Sequence, residues 1–152
     1  MREFFERRIT MSNLSRFMKN NKVQRTNAKY APTKSLVDEK GVPVEFEFQP
    51  ISSKTNNELR DSCTIDVPIT GKPGAYRPKT DTAKYLSAMI VASTVEPDLY
   101  NKDLQDSYGV KTPEDLLFAM IDNPGEYQDL CTWIQKYQGF DTLDEKREQA
   151  KN

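Results

Sequence analysis

Val44-Glu45-Phe46-Glu47-Phe48-Gln49 alternates apolar and polar side chains with a period of two, which puts the three apolar residues on one face of an extended strand. Just upstream, Asp38-Glu39-Lys40-Gly41 supplies a turn whose glycine is free to take a positive φ, and residues 29–37 read as the opposite arm of a hairpin. Pro32 interrupts that arm and confines it to a sheet edge or a bulge, because proline has no amide hydrogen for the ladder. A hairpin with one apolar and one acidic face is marginal alone and requires helices to cover it. The fold class that follows is α+β: a mainly helical small domain with one or two antiparallel β-hairpins.

The rest of the chain supplies those helices. Ser52 or Ser53 caps one that carries Leu59 and Cys63 on its buried side, flanked by Glu58 and Arg60. Thr80 or Asp81 caps the strongest helix, whose stripe of Leu86, Met89, Ile90, Ala92 and Ser93 runs on until Pro97 forbids extension. Leu99 and Leu104 bracket a short helix closed by Gly109 in a left-handed conformation, with the Tyr108 ring expected against the core. Thr112-Pro113-Glu114-Asp115 opens a helix holding Leu116, Leu117, Met120 and Ile121, and Asn123-Pro124-Gly125-Glu126 repeats that logic for a last one. The last helix holds Tyr127, Leu130, Trp133, Ile134 and Tyr137 and stops at Gly139. Near the start, Leu14, Phe17 and Met18 share one face of a short helix ended by Asn20-Asn21. Residues 65–79 make a second extended excursion around Gly71-Lys72-Pro73-Gly74, read as a mobile hairpin or loop and as one candidate contact surface.

At 152 residues the chain is long enough for one domain with a real core. That domain is placed at 12–140, with residues 1–11 as a leader and 141–152 as a charged tail. Phe4, Phe5 and Ile9 make an apolar stretch too short for the core of a signal peptide, and no later segment approaches the roughly 20 apolar residues of a membrane span. Basic and acidic residues nearly cancel, 22 against 23, so no strong field draws in nucleic acid or an anionic membrane. The chain has no histidine, which removes the commonest general base and zinc ligand. Cys63 and Cys131 are too distant and too few for a secreted disulfide framework and read as reduced thiols. The glycines at 71 and 74 lack Walker spacing, and the acidic pairs Glu45/Glu47 and Asp141/Asp144 read as solvent-facing charge. Neither an enzyme nor a cofactor is expected.

Four blocks occur in order: Asn57-Glu58-Leu59-Arg60 with Cys63 close behind, Leu104-Gln105-Asp106-Ser107-Tyr108-Gly109, Pro124-Gly125-Glu126-Tyr127, and Gly139-Phe140-Asp141. Together they resemble the XkdN-like phage tail assembly chaperones over nearly the whole chain from Met11 onward. The resemblance implies a helper protein of the bacterial host cytoplasm, absent from the virion, that holds the tape-measure protein without ATP until tail tube subunits compete for it. Self-association is a further expectation, and a structural adaptor retained in the tail is the alternative. Within the blocks, Glu58, Leu59, Arg60, Cys63, Tyr108, Gly109, Gly125 and Gly139 are expected to be structural. Because the last helix carries aromatic residues on more than one face, Trp133, Tyr137 and Phe140 are the expected partner-binding residues; the alternative is that Trp133 covers the hairpin.

Overall fold

A computed structural model of the chain describes residues 13–141. The elements run in the order β1 (Ala28–Tyr30), β2 (Phe46–Phe48), α1 (Ser53–Ser62), β3 (Thr64–Pro68), β4 (Tyr76–Thr80), α2 (Thr82–Ser93), β5 (Thr94–Glu96), α3 (Lys102–Ser107), α4 (Pro113–Met120) and α5 (Pro124–Tyr137), after a 3-10 turn at Lys19–Asn21. This is the mainly helical α+β class, with a three-stranded antiparallel sheet ordered β1-β2-β5 and a separate β3-β4 pair.

The alternating stretch becomes the central strand. Phe46 and Phe48 are buried while Glu47 faces the opposite side, so the period-two pattern decides which face meets the helices. Their neighbours in the core are Met89, Ile90 and Val91 of α2, Leu116 and Leu117 of α4, and Leu130 and Ile134 of α5. The first arm of the hairpin is shorter than the sequence suggests. It pairs only through Ala28↔Phe48, Lys29↔Glu47 and Tyr30↔Phe46, ending before Pro32, and Val37 makes only an isolated bridge to Pro43.

The third strand departs from the sequence expectation. The helix stops at Ser93 rather than continuing toward Pro97, because Ser93 Oγ donates to Met89 O and Thr94 Oγ1 to Ile90 O, occupying last-turn carbonyls. Thr94-Val95-Glu96 then extends along the free edge of β2, with Glu47↔Glu96 and Phe48↔Thr94 as partners. The helix expected around Leu14, Phe17 and Met18 is likewise corrected. Helical backbone covers only residues 13–15 among those described, and the three side chains are exposed. One turn of helix costs nucleation entropy that only burial of its apolar face would offset.

The excursion at residues 65–79 is a hairpin of five residue pairs, from Thr64↔Thr80 to Pro68↔Tyr76. Asp81 N–H donates to Cys63 O at one end and Ile69 N–H to Ala75 O at the other, which makes Ile65↔Lys79 and Val67↔Arg77 the hydrogen-bonded pairs. Pro68 and Pro78 therefore sit where backbone groups point outward. Each edge lacks one outward amide hydrogen, which blunts it against pairing with another chain.

Helix starts follow the sequence closely. Ser52, Asp81, Asn101, Thr112 and Asn123 each accept a first-turn amide on the side chain. Gly109 and Gly139, at φ 69° and 91°, close α3 and α5 with paired bonds: Val110 N to Gln105 O with Gly109 N to Asp106 O, and Phe140 N to Gln135 O with Gly139 N to Lys136 O.

Candidate partner-binding surface

The aromatic side chains of α5 are placed by a helix anchored at both ends. At its start, Glu126 accepts from the Lys34 amide and from Thr33 Oγ1, each at 2.8 Å, tying the loop after β1 to the helix. The backbone bond from Lys34, then the Thr33 hydroxyl, holds the Glu126 carboxyl below its ordinary pKa. At the helix end, Gln138 is buried: its Oε1 accepts from Ile51 N at 3.0 Å, and its Nε2 donates to Gln49 O at 3.0 Å and Ser93 Oγ at 2.9 Å. One side chain thus joins α5 to the chain leaving β2 and to the end of α2.

Between these anchors the rings form a ladder. Trp133 stacks on Tyr30 with centroids 4.6 Å apart and on Tyr137 at 5.1 Å, and tilts against Phe48 at 5.1 Å. Tyr137 Oη donates to Thr26 O at 2.7 Å and lies 3.2 Å from Phe48 O. Burial raises the Tyr137 and Tyr30 pKa values; the Arg25 charge opposes the first shift, while Asp129 and Glu126 reinforce the second. Trp133 is half-buried and covers the outer part of the sheet, leaving the rim of the stack in solvent.

Phe140 lies outside this stack. At 37% exposure it borders a separate cleft of about 420 Å³ that is also lined by Lys22, Arg25, Asn56, Asn57 and Gln138. The structure therefore brings Trp133 and Tyr137 together and sets Phe140 one turn beyond them. Tyr30, the other half of the stack, was not singled out from the sequence. Its place depends on the β1–β2 register, which only pairing reveals.

The motif residues are dispersed rather than gathered in a site. Glu58 is exposed, Leu59 is half-buried against the core, and the Arg60 guanidinium lies 5.9 Å from the Tyr85 ring centroid. Cys63 is buried at the end of α1. Tyr108, at 36% exposure, lies only partly against the core, a correction to its expected packing that follows from its place at the outer end of a six-residue helix. Gly109 and Gly139 terminate helices, and Gly125 sits in the first turn of α5. Both cysteines are buried free thiols, and burial pushes Cys131 up in pKa. Among the described residues there is no group of three or more His, Cys, Asp or Glu able to hold a metal ion, and no helix long and apolar enough to cross a membrane.

Comparison with known proteins gives a consistent result. The chain is 28% identical over 151 residues to the phage-like element PBSX protein XkdN of Bacillus subtilis (strain 168), covering 97% of this chain and 99% of that protein. It is 27% identical over 143 residues to the uncharacterized protein YqbN of the same organism, covering 91% and 93%. The crystal structure of YqbN superposes with a TM-score of 0.68 at 23% identity, covering 84% of this chain and 96% of that one, and so shares the fold. Residues 14–151 match the family model described as phage XkdN-like tail assembly chaperone protein. With the match spanning all four motif blocks, the chain belongs to the XkdN-like phage tail assembly chaperone family.

Proposed function

We propose that this protein holds the tape-measure protein in the cytoplasm of the bacterial host during tail assembly, through many weak contacts and without nucleotide, and yields it as tail tube subunits assemble. The observation that carries the reading is the family match over residues 14–151. The structure adds a surface suited to such contacts: the solvent-facing rim of the Trp133–Tyr137 stack, with Phe140 exposed one turn beyond. Aromatic side chains held rigid by neighbours give contact area at low entropic cost. Self-association along a long client fits the same role. No catalytic step is assigned.

The test is co-expression of tagged chain with the tape-measure protein of its own phage or prophage, scored by soluble co-purification and mass by light scattering. A soluble complex is expected, together with absence of the chain from purified mature tails. An insoluble client with no complex refutes the reading, and fixed stoichiometry in finished particles assigns the chain instead as a structural adaptor.

A further inference from the structure

The β3–β4 hairpin stands apart from the core. Ile65, Val67 and Ile69 join neither the buried cluster nor the half-buried residues packed against it. Ile65 is 46% exposed, and every residue of the two strands except Val67 and Thr80 is exposed. A two-stranded hairpin with both faces in water is marginal, and packing a further element on one face stabilises it.

The register decides what each face offers. Residues directly opposite one another share a face, so Ile65↔Lys79 and Val67↔Arg77 set an aliphatic row, Ile65, Val67 and Ile69, beside a basic row, Arg77 and Lys79. Asp66, the acidic residue of the two strands, pairs with Pro78 on the opposite face. Neither Arg77 nor Lys79 has an ion-pair partner among the described residues. One face of the hairpin is therefore apolar along one strand and positive along the other, with no carboxylate of its own. Aliphatic neighbours favour an apolar, carboxylate-bearing partner over a nucleic acid, whose bases stack on aromatic rings.

We infer that this face is a docking surface for an acidic amphipathic helix of the client, its apolar stripe on the Ile65 row and its carboxylates against Arg77 and Lys79. The inference rests on the chaperone reading and deepens it by naming the chemistry of the segment held. Pro68 and Pro78 blunt the two edges, which leaves the face rather than an added strand as the mode of contact. An element laid on a face must satisfy its own backbone hydrogen bonds, and a helix does so. From Ile65 to Ile69 the row is about 14 Å long, the length of roughly nine helical residues. Apolar contact supplies the anchor, and the charged row beside it selects the sign of the partner.

The test uses the full chain and two capped amphipathic helical peptides, one with a leucine stripe bordered by glutamates and its twin with lysines in their place. In amide NMR spectra the glutamate peptide is expected to shift Ile65, Val67, Ile69, Arg77 and Lys79, and to bind about tenfold tighter than its twin. Combining Arg77→Gln with Lys79→Gln weakens the glutamate peptide about fivefold, and combining Arg77→Glu with Lys79→Glu reverses the preference, both with the unfolding midpoint nearly unchanged because these side chains are exposed. Equal binding of the twins, or shifts centred on the Trp133–Tyr137 rim or the Phe140 cleft, overturns the inference. So does a single-stranded oligonucleotide that shifts the same five signals more strongly than the glutamate peptide, which gives the face to nucleic acid. A chain that self-associates and becomes monomeric by light scattering in the charge-reversed variant, with peptide binding unaltered, gives the face to a second copy and likewise overturns it. Co-purification of the tape-measure protein that survives charge reversal keeps the chaperone reading and removes this surface; glutamate-selective binding here without co-purification keeps the surface and removes the tape-measure reading.

Discussion

Replacing Gln138 by methionine preserves the shape of the side chain and deletes its hydrogen bonds, so it isolates what this buried amide contributes. Three groups lose a partner: the Ile51 amide, the Gln49 carbonyl and Ser93 Oγ. Ser93 keeps its own donated bond to Met89 O, and Gln49 belongs to an exposed residue that water can reach. The Ile51 amide has neither recourse, because Ile51 is buried. One stranded donor costs about 1–3 kcal/mol and each further lost bond about 0.5–1 kcal/mol, for a total of about 3 kcal/mol. For a domain of this size that lowers Tm by roughly 10 °C. Thermal and urea unfolding measure the loss, and hydrogen exchange localises it: the Ile51 amide is expected to lose protection before the α2 core does. A fall in Tm below about 2 °C with Ile51 still protected refutes the argument that Gln138 joins α5 to the sheet.

The remaining predictions separate core, cap and contact roles. Trp133→Ala removes three ring contacts from a half-buried side chain and is expected to cost about 3 kcal/mol in urea unfolding. Phe140→Ala should cost less than about 1 kcal/mol while weakening client co-purification, and is the cleaner probe of the proposed contact face. Gly139→Ala places a Cβ at φ 91° and should destabilise by about 1–2 kcal/mol. Gly125→Ala, whose Cβ meets only Asn123 Oδ1 at 3.4 Å within a helix, should be neutral or stabilising by up to about 1 kcal/mol; thermal melts of the two compare them directly. The Glu126 carboxyl has a folded pKa below its unfolded value, so its support of Lys34 and Thr33 is present at neutral pH and lost as pH falls through the folded pKa. The Lys34 amide should report that transition at a pH below the ordinary glutamate range and lose it in Glu126→Gln; a midpoint at the ordinary value contradicts the assignment.

Local chemistry was readable from the chain. Caps such as Ser52, Asp81, Thr112 and Asn123 work through contacts within three residues, and Gly109 and Gly139 act through a backbone angle that other residues rarely adopt. Val44 to Gln49 was legible as a strand because alternation is a property of consecutive residues. The same locality misled at both ends of longer patterns. Leu14, Phe17 and Met18 have helical spacing but no surface to bury against among the described residues, and Thr94-Val95-Glu96 reads as helix until the open edge of β2 claims it.

What the sequence determined by itself was the class of fold, the punctuation of its helices and, through four ordered blocks, the family. What only the tertiary structure decided was which residues share a surface. Tyr30 and Trp133 meet across more than a hundred residues because β1 pairs with β2, and Gln138 finds Ile51, Gln49 and Ser93 because three chain segments converge at one end of the sheet. Such juxtapositions arise from burying apolar faces against one another, a non-directional drive settled by the whole packing at once, so no local stretch encodes them.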